Sequence, residues 1–367
     1  MKTVIITYIL LLIGNFAYSQ QTDYWTVFWD KKEENFGFKD QNGKVKIQPK
    51  FGFMSFVKRL DYVFIASEVR DEKVDLYYLT KSGKSFGRDS VYFWDNTPDC
   101  ESEGFIRFRD SKSEKVGMFN RNGEVVIPAI YNELSQVRNG LVIALIDAKK
   151  KFWKEHEHSG CNHFSWTDGR TLLIDTTNKM IIENFNDSLH LDLYSHLRQD
   201  KLEEKPNREY FLGVDGKRHS FVNYKKDFSI WLQTSLLDSF TLDNFKKVTA
   251  PNLTFWKNGK GWISKPSDKI LEKNYELLKD RLSKIGDAGQ DFFISVDGLN
   301  QGIFEGKEFE IYFNNCGQPL KEKYPVMNIV ITHKNGNDIY QDHFDFLKTE
   351  NGYKLISLTI RNGRIEE

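Results

Sequence analysis

Cysteine is scarce in this chain of 367 residues: there are three, Cys100, Cys161 and Cys316. That is too few for a disulfide scaffold, and an odd count leaves at least one thiol without a partner in its own chain. Net charge is absent as well. Lys and Arg number 52, as do Asp and Glu, which argues against a dedicated nucleic-acid binder with its basic footprint. Beyond the N-terminus no apolar run reaches the roughly 20 residues that a membrane-crossing helix needs. There is no Gly-x-Ser-x-Gly elbow and no Gly-Lys-Ser/Thr phosphate loop, so two common enzyme signatures are missing. What the chain has is aromatic weight. Phe 29, Tyr 16 and Trp 8 make up 14% of it, a load that packs well on pleated faces. With 40% hydrophobic and 28% charged residues, it reads as globular and not disordered. Its length allows two or three domains.

Residues 1–20, MKTVIITYILLLIGNFAYSQ, read as an export signal. Lys2 is the positive n-region and Val4 to Ile13 the apolar h-region. Ala17-Tyr18-Ser19 is a small-x-small cleavage site before Gln20. The expected mature protein is periplasmic or secreted, cleaved near Ser19-Gln20. With no Cys at that site, a lipid anchor is not expected. Export places the cysteines in an oxidising compartment. Cys100–Cys161 is then the favoured bridge, because both fall in the N-terminal half.

A period of forty residues runs through that half. FGFKDQNGKVKIQPKF (36–51) aligns without a gap on VGMFNRNGEVVIPAIY (116–131). Gly37/Gly117, Asn42/Asn122, Gly43/Gly123, Val45/Val125 and Ile47/Ile127 coincide, and Phe51 matches Tyr131. Midway lies LYYLTKSGK (76–84), with Gly83 forty residues from each of the other turn glycines. NGLVIAL (139–145) resembles EGFIRF (103–108), and LLIDTTNKMII (172–182) reads as a worn fourth copy. Alternating apolar residues around Asn-Gly or Ser-Gly predict a hairpin in each copy, with Asn-Gly supplying the positive φ angles of a tight turn. A single hairpin cannot bury its apolar face, whereas stacked copies can.

These residues resemble the WG repeat family. Phe36-Gly37-Phe38, Asp40, Gly43-Lys44-Val45, Ile47, Pro49 and Phe51 follow its pattern. So do Gly117, Gly123, Val125-Val126-Ile127-Pro128, Tyr131 and Gly140-Leu141. Phe36 and Val116 stand where the family has Trp, so the copies are divergent. The resemblance covers about residues 28–185. It implies a β-rich, envelope-associated module, as a solenoid or propeller-like array, with no known reaction and no catalytic residue to transfer. The copies fall near 36–75, 76–115, 116–147 and 172–185, with an insertion at 148–171. Residues 186–219 are a linker or a fifth worn copy around Gly213–Lys217.

From about residue 220 the rhythm becomes helical. Phe228, Trp231, Leu232 and Leu236 share a face. Leu242, Phe245 and Val248 form a second short helix, ended by Pro251. Ser267 to Ile285 is a third, capped by Ser267 or Asp268 and apolar along Ile270, Leu271, Tyr275, Leu278 and Leu282. Strands are expected at 252–256, 291–296, 304–313, 326–333, 340–347 and 353–360. This order of helices and antiparallel strands, together with FDFLKTENGYKLISLTIRNG, resembles the NTF2-like cone over about 222–362. The resemblance implies an α+β domain with a cavity between helices and curved sheet, found in enzymes and binders alike.

The densest group of potential ligands is HEHSGCNH, residues 156–163. His156, His158, Cys161 and His163 combine imidazole and thiolate, which suits Zn²⁺ or copper. His-x-His on an extended chain puts both rings on one face. The same insertion carries Phe152, Trp153, Phe164 and Trp166, a contact surface in its own right. His333 and His343, with Asp338, Asp342 and Asp345, could do acid–base work in a C-terminal cavity. Glu33-Glu34, Glu203-Glu204 and Lys149-Lys150-Lys151 read as solvated charge. Asp-Ser/Thr sequences at 89–91, 175–177 and 187–189 look like O-glycosylation sites. The expectation is an exported, non-catalytic binding or scaffold protein with an envelope protein or glycan as partner. A small ligand in the C-terminal domain and metal binding at 156–163 are the alternatives.

Overall fold

The computed structural model describes residues 23–52, 54–153, 163–201, 203–285, 291–336 and 338–367. The export signal therefore lies outside the described residues. The N-terminal half folds as five small antiparallel sheets in chain order. The first holds β1 (Trp25–Trp29), β2 (Phe36–Lys39), β3 (Val45–Phe51) and β4 (Arg59–Leu60), ordered β3-β2-β1-β4. The second holds β5 (Val63–Arg70), β6 (Lys73–Thr80) and β7 (Ser85–Phe86). A two-stranded hairpin, β8 (Phe93–Trp94) and β9 (Thr97–Pro98), leads to the third sheet: β10 (Phe105–Arg109), β11 (Val116–Asn120) and β12 (Val125–Tyr131). The fourth begins with β13 (Glu133–Leu134) and β14 (Leu141–Ile146). It is interrupted by a separate hairpin of β15 (Lys149–Phe152) and β16 (Phe164–Thr167), then closes with β17 (Arg170–Asp175) and β18 (Met180–Ile182). The fifth is β19 (Leu191–Gln199), β20 (Arg208–Leu212) and β21 (Arg218–Asn223), with β21 central. Between residues 186 and 219, the segments Leu191–Gln199 and Arg208–Leu212 are thus strands of this sheet.

One turn recurs in all five sheets. At 40–44, 80–84, 120–124, 175–179 and 213–217 the first N–H donates to the carbonyl of the fifth residue. The fourth N–H donates back to the carbonyl of the first. That fourth residue has positive φ: Gly43 81°, Gly83 91°, Gly123 69°, Asn178 66° and Gly216 76°. This is a three-residue loop with a left-handed bulge residue, not the two-residue turn that Asn-Gly suggests. Only the glycine takes positive φ at 42–43 and 122–123. Two-residue turns occur instead at Glu103-Gly104 and Asn139-Gly140, where both residues have positive φ. The first residue of the recurring turn often caps it: Asp40, Asn120 and Asp175 each accept two backbone N–H groups through Oδ1.

Each sheet shares a core with the next. Phe36, Phe38, Phe51, Phe64 and Tyr77 join the first to the second. Val63, Ile65 and Tyr78 on the other face of the second meet Ile106, Phe108 and Phe119 of the third. Val116, Met118, Ile127, Val142 and Leu172 join the third to the fourth. Leu141, Leu173, Phe185, Leu193 and Phe221 join the fourth to the fifth. Alternation along β5 and β14 thus sends successive side chains into different cores, as strand geometry requires.

The C-terminal part follows directly. Asn223 ends the fifth sheet and caps α1 (Tyr224–Ser235) through Lys226 N. Then come α2 (Leu242–Lys247), β22 (Thr249–Lys257), β23 (Gly261–Pro266), α3 (Ser267–Ser283), β24 (Asp291–Asp297), β25 (Val326–Asn335), β26 (Asp338–Thr349) and β27 (Gly352–Thr359). The six strands form one sheet, β23-β22-β27-β26-β25-β24, in which β22 and β27 run parallel. Pro266 precedes α3, and neither Ser267 nor Asp268 caps it by a side chain. The expected strand at 304–313 is a 3₁₀ turn, Lys307–Tyr312. Its rings pack instead of pairing: Phe304, Phe309 and Tyr312 cover Val326, Leu347 and Ile356 on one face of the sheet. The helices cover the other face. Phe228, Leu232, Phe245, Leu271, Phe344 and Phe346 fill the layer where the NTF2-like resemblance implied a cavity.

The favoured Cys100–Cys161 bridge is not formed. Cys100 bonds to Cys316, with Cα atoms 6.1 Å apart and 216 residues between them. Sequence distance misled because residues 314–318 repeat the recurring turn. Asn314 N donates to Gln318 O, and Gly317 N donates back. That turn docks on the repeats, where Asn315 O accepts from Lys58 N and Arg59 N.

Candidate functional site

A cavity of about 590 Å³ opens where the third, fourth and fifth sheets meet α1, β24 and the segment after Cys316. A second of about 260 Å³ adjoins it, sharing Gln136, Arg138, Gln318, Lys321 and Glu322. The repeats supply the inner wall. Arg107 on β10 is bidentate to Asp99 (2.5 and 3.1 Å) and donates to Leu134 O at 2.8 Å. Its guanidinium lies 4.3 Å from the Tyr92 ring centroid. The Tyr92 hydroxyl donates to Glu133 at 2.5 Å, and Arg109 reaches the other Glu133 oxygen at 3.3 Å. Burial, then the Glu133 charge, keeps the Tyr92 phenol protonated, against the opposing pull of Arg107. This lattice of paired charges fixes β10, β13 and the β8–β9 hairpin as one rigid wall.

The facing wall is the chain after the disulfide. Glu322 pairs with Arg138 at 2.6 Å, and its carbonyl accepts from the Tyr224 hydroxyl at 2.8 Å. Cys100–Cys316 anchors this wall, and Gln136 donates to Cys100 O at 2.9 Å. Glu101 is buried beside the bridge and accepts from Gly104 N and Asn315 Nδ2. Burial and the nearby Asp61 charge raise its pKa to about 7, against the backbone hydrogen bonds that lower it.

The rim is aromatic. Trp94 is 58% exposed at the end of β8, beside a turn whose Asp95 and Asn96 both have positive φ. Trp166 reaches the cavity from β16. On the β15–β16 hairpin, Phe152 (53% exposed) pairs with Phe164, Phe164 meets Trp166 edge to face, and Trp153 stacks near His163. Lys150 sits over Phe164 at 4.6 Å.

Of the expected metal ligands, His156, His158 and Cys161 lie outside the described residues. His163 is the member of that set among the described residues, with its ring near Trp153. Among the described residues no group of three or more His, Cys, Asp or Glu side chains is disposed to hold a metal. The C-terminal acid–base set divides between two faces. Asp342, fully buried, is hydrogen-bonded to His333 Nε2 and Arg361 N, each at 2.9 Å, and forms an ion pair with Arg281, whose Nε lies 3.5 Å away. It ties α3 and the chain end to the sheet. Asp345 lies on the opposite face, bonded to Ser357 at 2.6 Å, with its pKa raised by burial. His343 neighbours it in sequence, and Asp338 is exposed at the end of its strand. Among the described residues the helix side of this sheet is filled by Phe and Leu, as above. The cleft lining from Trp94 to Glu322 gave no local sequence motif. Its one legible sign was the unusual aromatic content of the 148–171 insertion.

The geometry defines a β-rich repeat protein. The family model described as WG containing repeat matches residues 36–58 and 117–149, and these two segments are WG repeats. No curated protein and no solved structure matches the chain.

Proposed function

We propose that this is an exported, non-catalytic binding protein of the cell envelope that holds its partner at the cleft between the repeats and the C-terminal part. One observation carries the reading. Exposed Trp94 and half-buried Trp166 line a charge-paired cleft, the hairpin that carries Trp166 also exposes Phe152 and Trp153, and such patches mark interaction surfaces. The Cys100–Cys316 bridge supports export, since structural disulfides persist in oxidising compartments. The order of helices and strands from 224 to 359 is compatible with an NTF2-like cone, with a packed interior in place of a ligand chamber. That packing favours the cleft over the C-terminal domain as the binding site. The WG repeats supply the scaffold.

Co-sedimentation of the purified full chain with envelope fractions of its host tests this. The wild type is expected to sediment, Trp94→Ala/Phe152→Ala to lose sedimentation, and Trp256→Ala/Trp262→Ala to keep it. Sedimentation that survives the first double variant, or is absent in the wild type, would refute the reading.

A further inference from the structure

We infer that the cleft binds a neutral oligosaccharide. This rests on the binding reading above and adds the chemistry of the ligand. The first observation is charge. Arg107, Arg138 and Lys321 line the cavity together with Glu133, Asp187 and Glu322. Both guanidiniums are already engaged, Arg107 by Asp99 and Arg138 by Glu322. A phosphate or carboxylate ligand that took either guanidinium would have to break one of these pairs, and Lys321 shares the lining with the carboxylates of Asp187, Glu133 and Glu322. A hydroxyl group needs no such exchange: it can accept from one member and donate to the other. Gln136 and Gln318 add amides of the same dual character. His190 adds an imidazole whose pKa is lowered by desolvation and by Lys225 and Lys321.

The second observation is the pair of indoles. Trp94 is held out to solvent at the end of β8, beside a two-residue turn, and Trp166 enters the same cavity from another hairpin. A flat aromatic face can cover the C–H face of a sugar while the neighbouring polar groups take its hydroxyls, the usual division of labour in a ligand site. The third is extent. Cavities of about 590 and 260 Å³ share a wall of Gln136, Arg138, Gln318, Lys321 and Glu322, so polar side chains that can meet sugar hydroxyls line two adjoining spaces.

Isothermal titration of the full oxidised chain provides the test. The probes are maltohexaose, cellohexaose, mannohexaose, xylohexaose and chitohexaose, with hexagalacturonate and a mixed-charge decapeptide as comparators. At least one neutral hexasaccharide is expected to bind. Trp94→Ala should weaken it about tenfold or more, as loss of a binding anchor does. Asp187→Asn should weaken it too. Both side chains are exposed, so both variants should melt as the wild type does. The inference is overturned if no neutral hexasaccharide binds at millimolar concentration, if only a comparator binds, or if affinity survives Trp94→Ala. Failure of the whole panel alongside Trp94-dependent co-sedimentation would remove the glycan and leave the binding reading. Failure of both would remove both.

Discussion

Gly37 and Gly117 occupy the same place in the two WG repeats, and the structure gives the physical reason. A Cβ on Gly37 would lie 2.3 Å from Ile47 O and 2.7 Å from Pro49 N. On Gly117 it would lie 2.7 Å from Ile127 O and 2.5 Å from the Phe108 ring. Both glycines sit at a bulge. Phe36 pairs with Phe51 and Phe38 with Ile47, and Val116 pairs with Tyr131 and Met118 with Ile127. The strand crossing this bulge presses its backbone onto the glycine. Gly37→Ala and Gly117→Ala are each expected to cost about 2 kcal/mol or more, because backbone must move. Gly43→Ala, strained in φ but with open space around it, should cost about 1 kcal/mol. Urea titration of the three variants checks the order, and equal losses would contradict it. Glu101 gives a second prediction. Its pKa is near 7 when folded and near 4.5 otherwise, so folding favours its proton. The cost is absent below pH 4.5, grows between 4.5 and 7, and is constant above. Glu101→Gln should therefore stabilise the protein above pH 7 by about 3 kcal/mol at most. A variant melting no higher than wild type at pH 8 would contradict this.

At the scale of elements, the turns were the most legible feature. Glycine every forty residues marks them because only the left-handed position is restrictive. Asn178 fills that position in the fourth sheet, which is why that copy reads as worn. The register shift next to the turn is kept there too: Leu173 faces Ile182 and Ile174 faces Met180, as Phe38 faces Ile47 and Lys39 faces Val45. The C-terminal helices were legible from their apolar spacing. The segment 298–325 was not. Its Phe and Tyr alternate enough to suggest a strand, yet they lie flat on the sheet, and tertiary packing overrode the local pattern. The disulfide was illegible for a related reason, since no local pattern tells where a surface turn will dock. Closing a loop of 216 residues, the bridge should contribute about 5 kcal/mol on chain-entropy grounds. Cys100→Ser/Cys316→Ser is expected to melt well below wild type and to exchange amide hydrogens faster over 298–325. Unchanged exchange there would contradict a latch role.

For the whole molecule, two pH linkages oppose one another. Glu101 penalises the upper side. His196 acts on the lower. Its pKa falls to about 4 through desolvation and the adjacent His219, whose Nδ1 lies 2.8 Å away. Stability from this uncharged ring is present above about pH 6.5 and is lost as pH falls towards 4. The two nearly offset each other between about pH 4.5 and 6.5, so wild-type melts should change little there, while His196→Phe, with the Glu101 linkage left alone, should melt progressively lower as pH rises from 4.5 to 7. A His196→Phe variant with the pH profile of the wild type would contradict the His196 assignment. The cleft itself could not be read from sequence, because its walls join residues from Trp94 to Glu322 that only the stacked sheets and the disulfide bring together. Its role is tested most directly by photo-crosslinking in the host, with p-benzoylphenylalanine placed in turn at Trp94, Phe152, Val74 and Trp256. Adducts from the first two positions and none from the last two are the result expected for a partner held at the cleft. Adducts only from Trp256, or from none of the four, would contradict it.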